Sequence, residues 1–98
     1  MYARIVTFQL QLGKLDEALK IARESILPEL RQRAGVQEIT VLLDRSTNKM
    51  AAISLWRTEA DLQADMHNTP ARLAKTSSLV AATPLVETYE VAEHVSTS

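Results

Sequence analysis

The sequence predicts an α+β protein with a ferredoxin-like βαββαβ order, in which a four-stranded antiparallel sheet carries its helices on one face. Between residues 36 and 57, two β-branched apolar runs flank a polar segment that contains an asparagine, which is the pattern of a β-hairpin. Helical patterns lie on both sides of this hairpin, and a strand-like run stands near each end of the chain. That order of elements is typical of the fold.

The first half of the chain predicts a strand and a long helix. Residues 2–10 alternate, which favours a first strand. Over residues 15–33 the apolar positions recur at spacings of three and four, which predicts an amphipathic helix. Pro28 removes a backbone donor and crowds the carbonyl four residues earlier, so we expect a kink or restart near residues 26–27. Gly35 suits the left-handed position that ends a helix.

The second half predicts a helical region and a last strand. Thr58 is expected to cap the helical region that follows the hairpin. A fresh helical start is expected at Thr69, because Pro70 suits the first turn of a helix. The last strand is expected over residues 85–92, and residues 93–98 are expected to form a frayed tail.

Composition bounds the class of protein. The 98 residues predict a single domain over 1–98. The 11 basic and 12 acidic residues are interleaved, so we expect no nucleic-acid partner. The sequence has no cysteine, and its histidines, His67 and His94, lack ligand spacing, so no metal site is expected. Without a long apolar run or a signal-peptide pattern, the expected location is the cytoplasm and no membrane contact is expected.

The predicted strands carry large apolar side chains on both faces. A sheet covered by helices on one side alone should be polar on the other side. Here the neighbouring residues Ile5 and Val6 place apolar side chains on opposite faces of the first strand, and Val41 and Leu42 do the same in the second. A bare apolar sheet face usually marks an interface, so we expect a homodimer through this face. The alternative is a monomer with scattered apolar surface residues.

A set of segments shares the pattern of a known family. They are Ala3-Arg-Ile-Val-Thr-Phe, Gly13-Lys, Ile26-Leu-Pro-Glu-Leu, Gly35-Val and Leu55-Trp-Arg-Thr-Glu-Ala-Asp-Leu. Together they resemble the antibiotic biosynthesis monooxygenase-like family of dimeric α+β barrels. The resemblance implies a homodimer with facing sheets and a small cavity per subunit between helices and sheet. Some relatives oxidise aromatic polyketides or quinols with molecular oxygen and without metal or flavin, so no cofactor is expected.

His67 and Tyr89 are the candidate catalytic residues. A histidine at the break in the second helical region could move a proton near neutral pH, as deprotonating a phenol or quinol requires. The alternative for His67 is a solvent-facing cap. Tyr89 could orient a substrate oxygen, and its alternative is a core tyrosine with a satisfied hydroxyl.

Arg4, Trp56 and Met66 are the candidate substrate-binding residues. Arg4 is the charged member of an otherwise apolar row and could bind a carboxylate or phenolate, unless it is simply solvated. Trp56 could stack on an aromatic ring, and its alternative is a packing anchor. Met66 belongs to the inward face of the second helical region. Asp65 is expected to be an ordinary charge on a helix surface.

The expected function is that of a cofactor-independent monooxygenase acting on a small phenolic or quinol-like aromatic, bound between helices and sheet. Two alternatives stay open. The chain could be a non-catalytic small-molecule-binding or stress-associated dimeric module. It could also be an isomerase or lyase, which would need a proton-transfer pair in one pocket.

Overall fold

The computed structural model of the chain describes residues 1–97 and confirms the predicted α+β ferredoxin-like fold. The strands are β1 (Tyr2–Gln9), β2 (Val36–Asp44), β3 (Lys49–Trp56) and β4 (Leu85–Glu90). They form one antiparallel sheet in the order β2-β3-β1-β4. The helices are α1 (Leu15–Ile21), a π-helical segment (Ala22–Ile26), α2 (Leu27–Leu30), α3 (Glu59–Met66) and α4 (Thr69–Ala74).

The first helix contains the disruption that its proline predicts. Pro28 has no backbone N–H to donate to the carbonyl of Glu24, and the chain forms the wider π-helical turn over Ala22–Ile26 just before α2. Helix α2 ends at Leu30, three residues earlier than predicted, and turns follow. Gly35 has a φ of +85°, which confirms its left-handed conformation, but it lies in the turns after α2 and does not itself end the helix.

The second helical region begins and restarts where the sequence indicates. The side-chain oxygen of Thr58 accepts a hydrogen bond from the backbone N–H of Asp61 at 3.1 Å, which confirms the cap. Pro70 lies in the first turn of α4, which confirms the start at Thr69. Strand β4 ends at Glu90, two residues earlier than predicted.

The chain beyond β4 has no regular secondary structure as far as residue 97, and residues 93–97 are exposed. Ser98, the last residue of the predicted tail, lies outside the described residues.

The helix-facing side of the sheet holds two apolar clusters. One is built around Phe8, Leu15 and Met50, and the other consists of Leu30, Trp56 and Leu62. The inner row between them contains Arg4 of β1, paired in register with Ser54 of β3. A charged and polar row therefore divides the core. This row is where the candidate site lies.

The opposite face of the sheet, here called the outer face, carries large apolar side chains as predicted, but polar ones lie among them, since Glu87 pairs with Ile5 and Thr40 with Ile53. The register places Ile5 of β1 beside Ile53 of β3, at the centre of this face. Leu42, Leu85 and Tyr89 lie around them with 49%, 57% and 50% of their surface exposed. Because the clusters that contain helix residues lie on the other side, large apolar groups remain uncovered on the outer face of a single chain.

Gly35→Ala is expected to destabilise the protein more than Gly13→Ala, which is its matched control. Both glycines have positive φ, at +85° and +79°, so alanine is strained at either position. At Gly35 an added Cβ would also overlap the Asp61 side chain, 2.5 Å from its Cβ, whereas nothing lies within 4 Å at Gly13. We expect losses of roughly 2–4 kcal/mol and about 1 kcal/mol in urea unfolding. Equal losses would contradict the close contact with α3.

Candidate functional site

Arg4 is a buried cation at the centre of the fold, with 3% of its surface exposed. It belongs to the inner face of β1, between the two apolar clusters. A guanidinium taken out of water must be paired with acceptors, because an isolated charge in the interior is strongly unfavourable. The interpretation of Arg4 as a solvated arginine is therefore wrong.

The surroundings of Arg4 include two of the other predicted site residues. Its Nη1 donates to Asp65 Oδ2 at 2.8 Å and to Thr69 Oγ1 at 3.3 Å, and lies 3.7 Å from the sulfur of Met66. Its guanidinium carbon is 5.2 Å from the centroid of the Trp56 ring, a cation–π arrangement. The structure thus brings together Arg4, Trp56 and Met66, the three predicted substrate-binding residues, and of these three Arg4 is the one that lines the cavity described below.

Asp65 is the centre of this arrangement, which the sequence analysis missed. It is 3% exposed, so the expectation of an ordinary surface charge is wrong. Arg72 of α4 binds it through both carboxylate oxygens, with Nη1–Oδ2 at 2.5 Å and Nη2–Oδ1 at 2.6 Å. Asp65 follows the buried Leu62 by three residues, and that helical spacing is the signal that could have placed it inward.

The pairing continues from Asp65 to the surface. Arg72 Nε donates to Glu29 Oε2 of α2 at 2.7 Å, and Arg33 Nε donates to Glu29 Oε1 at 2.7 Å. We call Arg4, Asp65, Arg72, Glu29 and Arg33 the charge cluster. It links β1, α2, α3 and α4, and its three guanidinium groups outnumber its two carboxylates.

The two buried arginines, Arg4 and Arg72, differ in how far hydrogen bonds to carboxylates offset the effect of burial on their pKa values. Burial lowers the pKa of Arg72, but its hydrogen bonds to Asp65 and Glu29 more than offset this and raise it. Burial also lowers the pKa of Arg4, and there the single bond to Asp65 does not restore it. For Asp65, burial raises the pKa, yet the bonds from Arg72 and Arg4 outweigh burial and hold the pKa below its ordinary value. Of the two buried arginines, Arg4 is therefore the less well compensated.

A small cavity of about 50 Å³ lies between helices and sheet, where the sequence predicted a pocket. Arg4 and Arg72 are its charged lining residues, and its apolar wall includes Val6, Phe8, Ile26, Leu30 and Leu73. A dry cavity that binds benzene measures roughly 150 Å³. An aromatic ring therefore enters only if the wall moves.

Arg4 keeps hydrogen-bonding capacity on the cavity side. Within residues 1–97 its side-chain hydrogen bonds all leave from Nη1, so Nε and Nη2 have no partner there. No fully buried side-chain nitrogen or oxygen of those residues lacks a partner, so the two nitrogens must keep some accessible surface. Since Arg4 lines the cavity, this is the space into which they can donate.

The two predicted catalytic residues lie elsewhere. His67 is exposed at the C-terminal end of α3. Tyr89 is half exposed on the outer face, and its hydroxyl donates to Glu87 Oε2 at 2.7 Å, a bond that raises the pKa of the phenol. Within the described chain, neither residue lines the cavity that Arg4 lines.

Between residues 1 and 97, no three histidine or carboxylate side chains are grouped so that they could hold a metal ion. In the same range, none of the helices has the length and apolar character needed to cross a bilayer.

Asp65→Asn is expected to cost roughly 3–5 kcal/mol of unfolding free energy, because it leaves two buried guanidinium groups without their shared charge. The matched control is Asp16→Asn. Asp16 pairs with Arg45 on the surface, where its side chain is 77% exposed, and such pairs are worth about 1 kcal/mol or less. Urea unfolding at neutral pH measures both. Equal stability of the two variants would contradict the role of Asp65.

The acid sensitivity of the protein should depend on the same carboxylate. Because the pKa of Asp65 is lowered in the folded state, its stabilisation is present above the unfolded value, about 4, and is lost as pH falls through the folded value. Glu29 adds to this, since its hydrogen bond from Arg72 lowers its pKa. The wild type should therefore lose stability below roughly pH 4, and Asp65→Asn should lose less over the same interval. Parallel pH profiles of the two proteins would contradict this.

Comparison with known proteins places the chain by its fold. No protein-family model matches it. Among curated proteins it is 27% identical over 92 residues to the uncharacterised protein Rv2557 of Mycobacterium tuberculosis, a match over 94% of this chain and 41% of that one. The chain spans about two fifths of the length of the curated relatives it matches.

Solved structures resemble the chain in fold over nearly its whole length. A candidate antibiotic biosynthesis monooxygenase of Deinococcus radiodurans superposes with a TM-score of 0.82 at 14% identity, over 100% of this chain and 99% of that one. The monooxygenase from the gene ActVA-Orf6 of Streptomyces coelicolor, solved in complex with nanaomycin D, gives a TM-score of 0.76 at 16% identity, over 99% and 92%. The chain therefore has the fold of the antibiotic biosynthesis monooxygenase-like proteins, the family that its sequence resembles.

Proposed function

We propose that the protein is a cofactor-independent monooxygenase acting on a small phenolic or quinol-like aromatic in the cavity between helices and sheet. The observation that supports this is the buried guanidinium of Arg4, which keeps free donors beside a cavity with apolar walls. A structure of the same fold holds nanaomycin D, which supports the choice of an aromatic ligand.

The proposed chemistry needs an electron-rich anion in a dry site. A phenol, quinol or anthrone that has lost a proton can pass one electron to oxygen. The organic radical and superoxide then combine to form a carbon–oxygen bond. For an anthrone, loss of water from the resulting peroxide gives the quinone, so one oxygen molecule is consumed and one water leaves. The protein stabilises the anion and keeps solvent away from it.

Arg4 carries the anion stabilisation in this proposal. A guanidinium beside a substrate oxygen favours the ionised form, and the proton can pass to solvent. Trp56 is fully buried, and its Nε1 donates to Ser54 Oγ at 2.9 Å. We propose that the Trp56 ring, held in this way, packs on one face of the Arg4 guanidinium and keeps it in position. His67 and Tyr89 receive no contact with the substrate, since they do not line this cavity in the described chain.

Substrate entry requires the cavity to widen. Two wall residues, Ile26 and Leu30, belong to the π-helical segment and α2. A π-helical turn interrupts the regular hydrogen-bond pattern of an α-helix, and such turns often occur at functional sites. We therefore expect the wall to open on this side. The ion pair between Glu29 and Arg72 joins that side to α4 and has to shift with it.

A non-catalytic binding module is the second candidate. The observation that favours it is that, among residues 1–97, Arg4 and Arg72 are the ionisable lining residues of the cavity, so no imidazole or carboxylate is present there to remove a proton. An isomerase or lyase is less well supported, because two arginines do not exchange protons near neutral pH.

We also propose that a second copy of the chain covers the outer face. The exposed Leu42, Leu85 and Tyr89 surround the central Ile5 and Ile53 there, and large apolar patches of this kind mark interfaces. This arrangement leaves the helix side, where the cavity lies, free for ligand entry.

Light scattering tests the second copy. The wild type should have twice the 10.9 kDa mass of the chain at micromolar concentration, whereas Ile53→Glu should have the mass of one chain because it places a charge in the apolar patch. Gln63→Glu on the exposed side of α3 serves as the control and should remain dimeric. A wild type of 10.9 kDa would overturn the proposal.

Oxygen uptake tests the activity. With a panel of quinols and anthrones, the wild type should consume oxygen above the buffer rate, and Arg4→Gln should lower kcat/KM by about 100-fold, as loss of one charge-stabilising donor does. Arg45→Gln removes the same charge from the exposed hairpin loop and should leave the rate unchanged. If the wild type shows no uptake with any compound, the monooxygenase proposal fails, and ligand binding without uptake would favour the binding module.

A further inference from the structure

We infer that the cavity takes its aromatic ligand in anionic form, with an ionised carboxylate, enolate or phenolate oxygen on Nε and Nη2 of Arg4. This names the ligand class of the site in the proposed function, and it rests on that proposal only for the location of the ligand. The inference concerns binding, and it holds whether or not oxygen chemistry follows.

The Arg4 guanidinium has more N–H donors than acceptors within residues 1–97. A guanidinium has five N–H donors, and Arg4 uses those of Nη1 on Asp65, Thr69 and the sulfur of Met66. Within residues 1–97, Nε and Nη2 have no partner. These nitrogens form one edge of a planar fork, which matches two oxygens of a carboxylate or one anionic oxygen. The 3% exposure of Arg4 makes the cavity the place where an acceptor can reach this edge.

The two buried arginines have unequal numbers of carboxylate partners. Arg4 has Asp65 alone, whereas Arg72 has both Asp65 and Glu29. The further positive charge of the cluster is that of Arg33, whose side chain is 41% exposed, so Arg4 is the least compensated of the buried cations. Burial lowers the pKa of Arg4, while its ion pairs raise that of Arg72, as expected for this imbalance. An anion entering the cavity would complete the pairing, whereas a cation would be repelled.

The surroundings of Arg4 restrict the shape of a ligand. The Trp56 ring occupies one face of the guanidinium, 5.2 Å from its carbon, and the N–H groups of Nε and Nη2 lie in the guanidinium plane, so an acceptor binds them at the edge. The cavity walls beyond that edge are apolar side chains such as Val6, Ile26 and Leu73. An inorganic anion would lose its hydration there with few donors to replace it. A flat apolar body with a single ionised group fits better.

Three isosteric probes test the inference without turnover. Benzoate, benzamide and benzamidine have nearly the same shape and carry charges of −1, 0 and +1 at neutral pH. Binding is followed by fluorescence of Trp56, the single tryptophan, or by calorimetry. Benzoate should bind the wild type at least tenfold more tightly than benzamide, and benzamidine should bind most weakly. In Arg4→Gln, benzoate should bind no better than benzamide. Arg45→Gln should keep the wild-type preference.

A second variant guards against misfolding of Arg4→Gln. Arg4→Lys keeps the charge but loses the fork, so it should still prefer benzoate, with a smaller ratio to benzamide. Equal binding of benzoate and benzamide by the wild type, no binding of any probe, or an unchanged preference in Arg4→Gln would each overturn the inference. A preference for benzoate without oxygen uptake on the quinol panel would remove the monooxygenase proposal alone. Oxygen uptake without any charge preference would remove the inference alone.

Discussion

The structure depends on one buried carboxylate that serves two buried guanidinium groups. Asp65 joins Arg4 of β1 to Arg72 of α4, and it does so from α3. Strand β1 is distant in sequence from the consecutive helices α3 and α4, so the pairing fixes how the second helical region lies on the sheet. Without Asp65, Arg4 would remain buried with no carboxylate partner and Arg72 would keep only Glu29, which is strongly unfavourable. The orientation of Arg4, and with it the polar end of the cavity, follows from this contact.

The same row explains why the cavity exists. The inner face of β3 reads Met50, Ala52, Ser54 and Trp56, so two small side chains stand between two large ones. The large residues anchor the two apolar clusters, and both small residues line the cavity. Arg4 lies opposite Ser54 and brings its charge into the volume that the small residues leave. A larger apolar residue at either small position would fill that volume and bury the free edge of the guanidinium.

The fold could be predicted because its signals are local. The alternation in the strands, the proline in the first helix and the cap at Thr58 each act within a few residues. The site could not be predicted in the same way, because the partners Arg4 and Asp65 are 61 residues apart and charged residues usually face water. His67 and Tyr89 were predicted to be catalytic mainly because of their residue types. His67 stands five residues after Leu62, about 140° around the helix, and Tyr89 shares its face with Leu85 and Glu87.

The charge cluster also explains where an entering anion should stop. Both Arg72 and Arg4 line the cavity, so an anion inside it has two cations within reach. Arg72 is already bound through its Nε and both Nη atoms by Glu29 and Asp65, so an anion gains little there. Arg4 has one carboxylate contact and two free nitrogens. Arg4 is therefore the arginine with affinity left for a ligand, and Arg72 holds the carboxylate that keeps Arg4 in position.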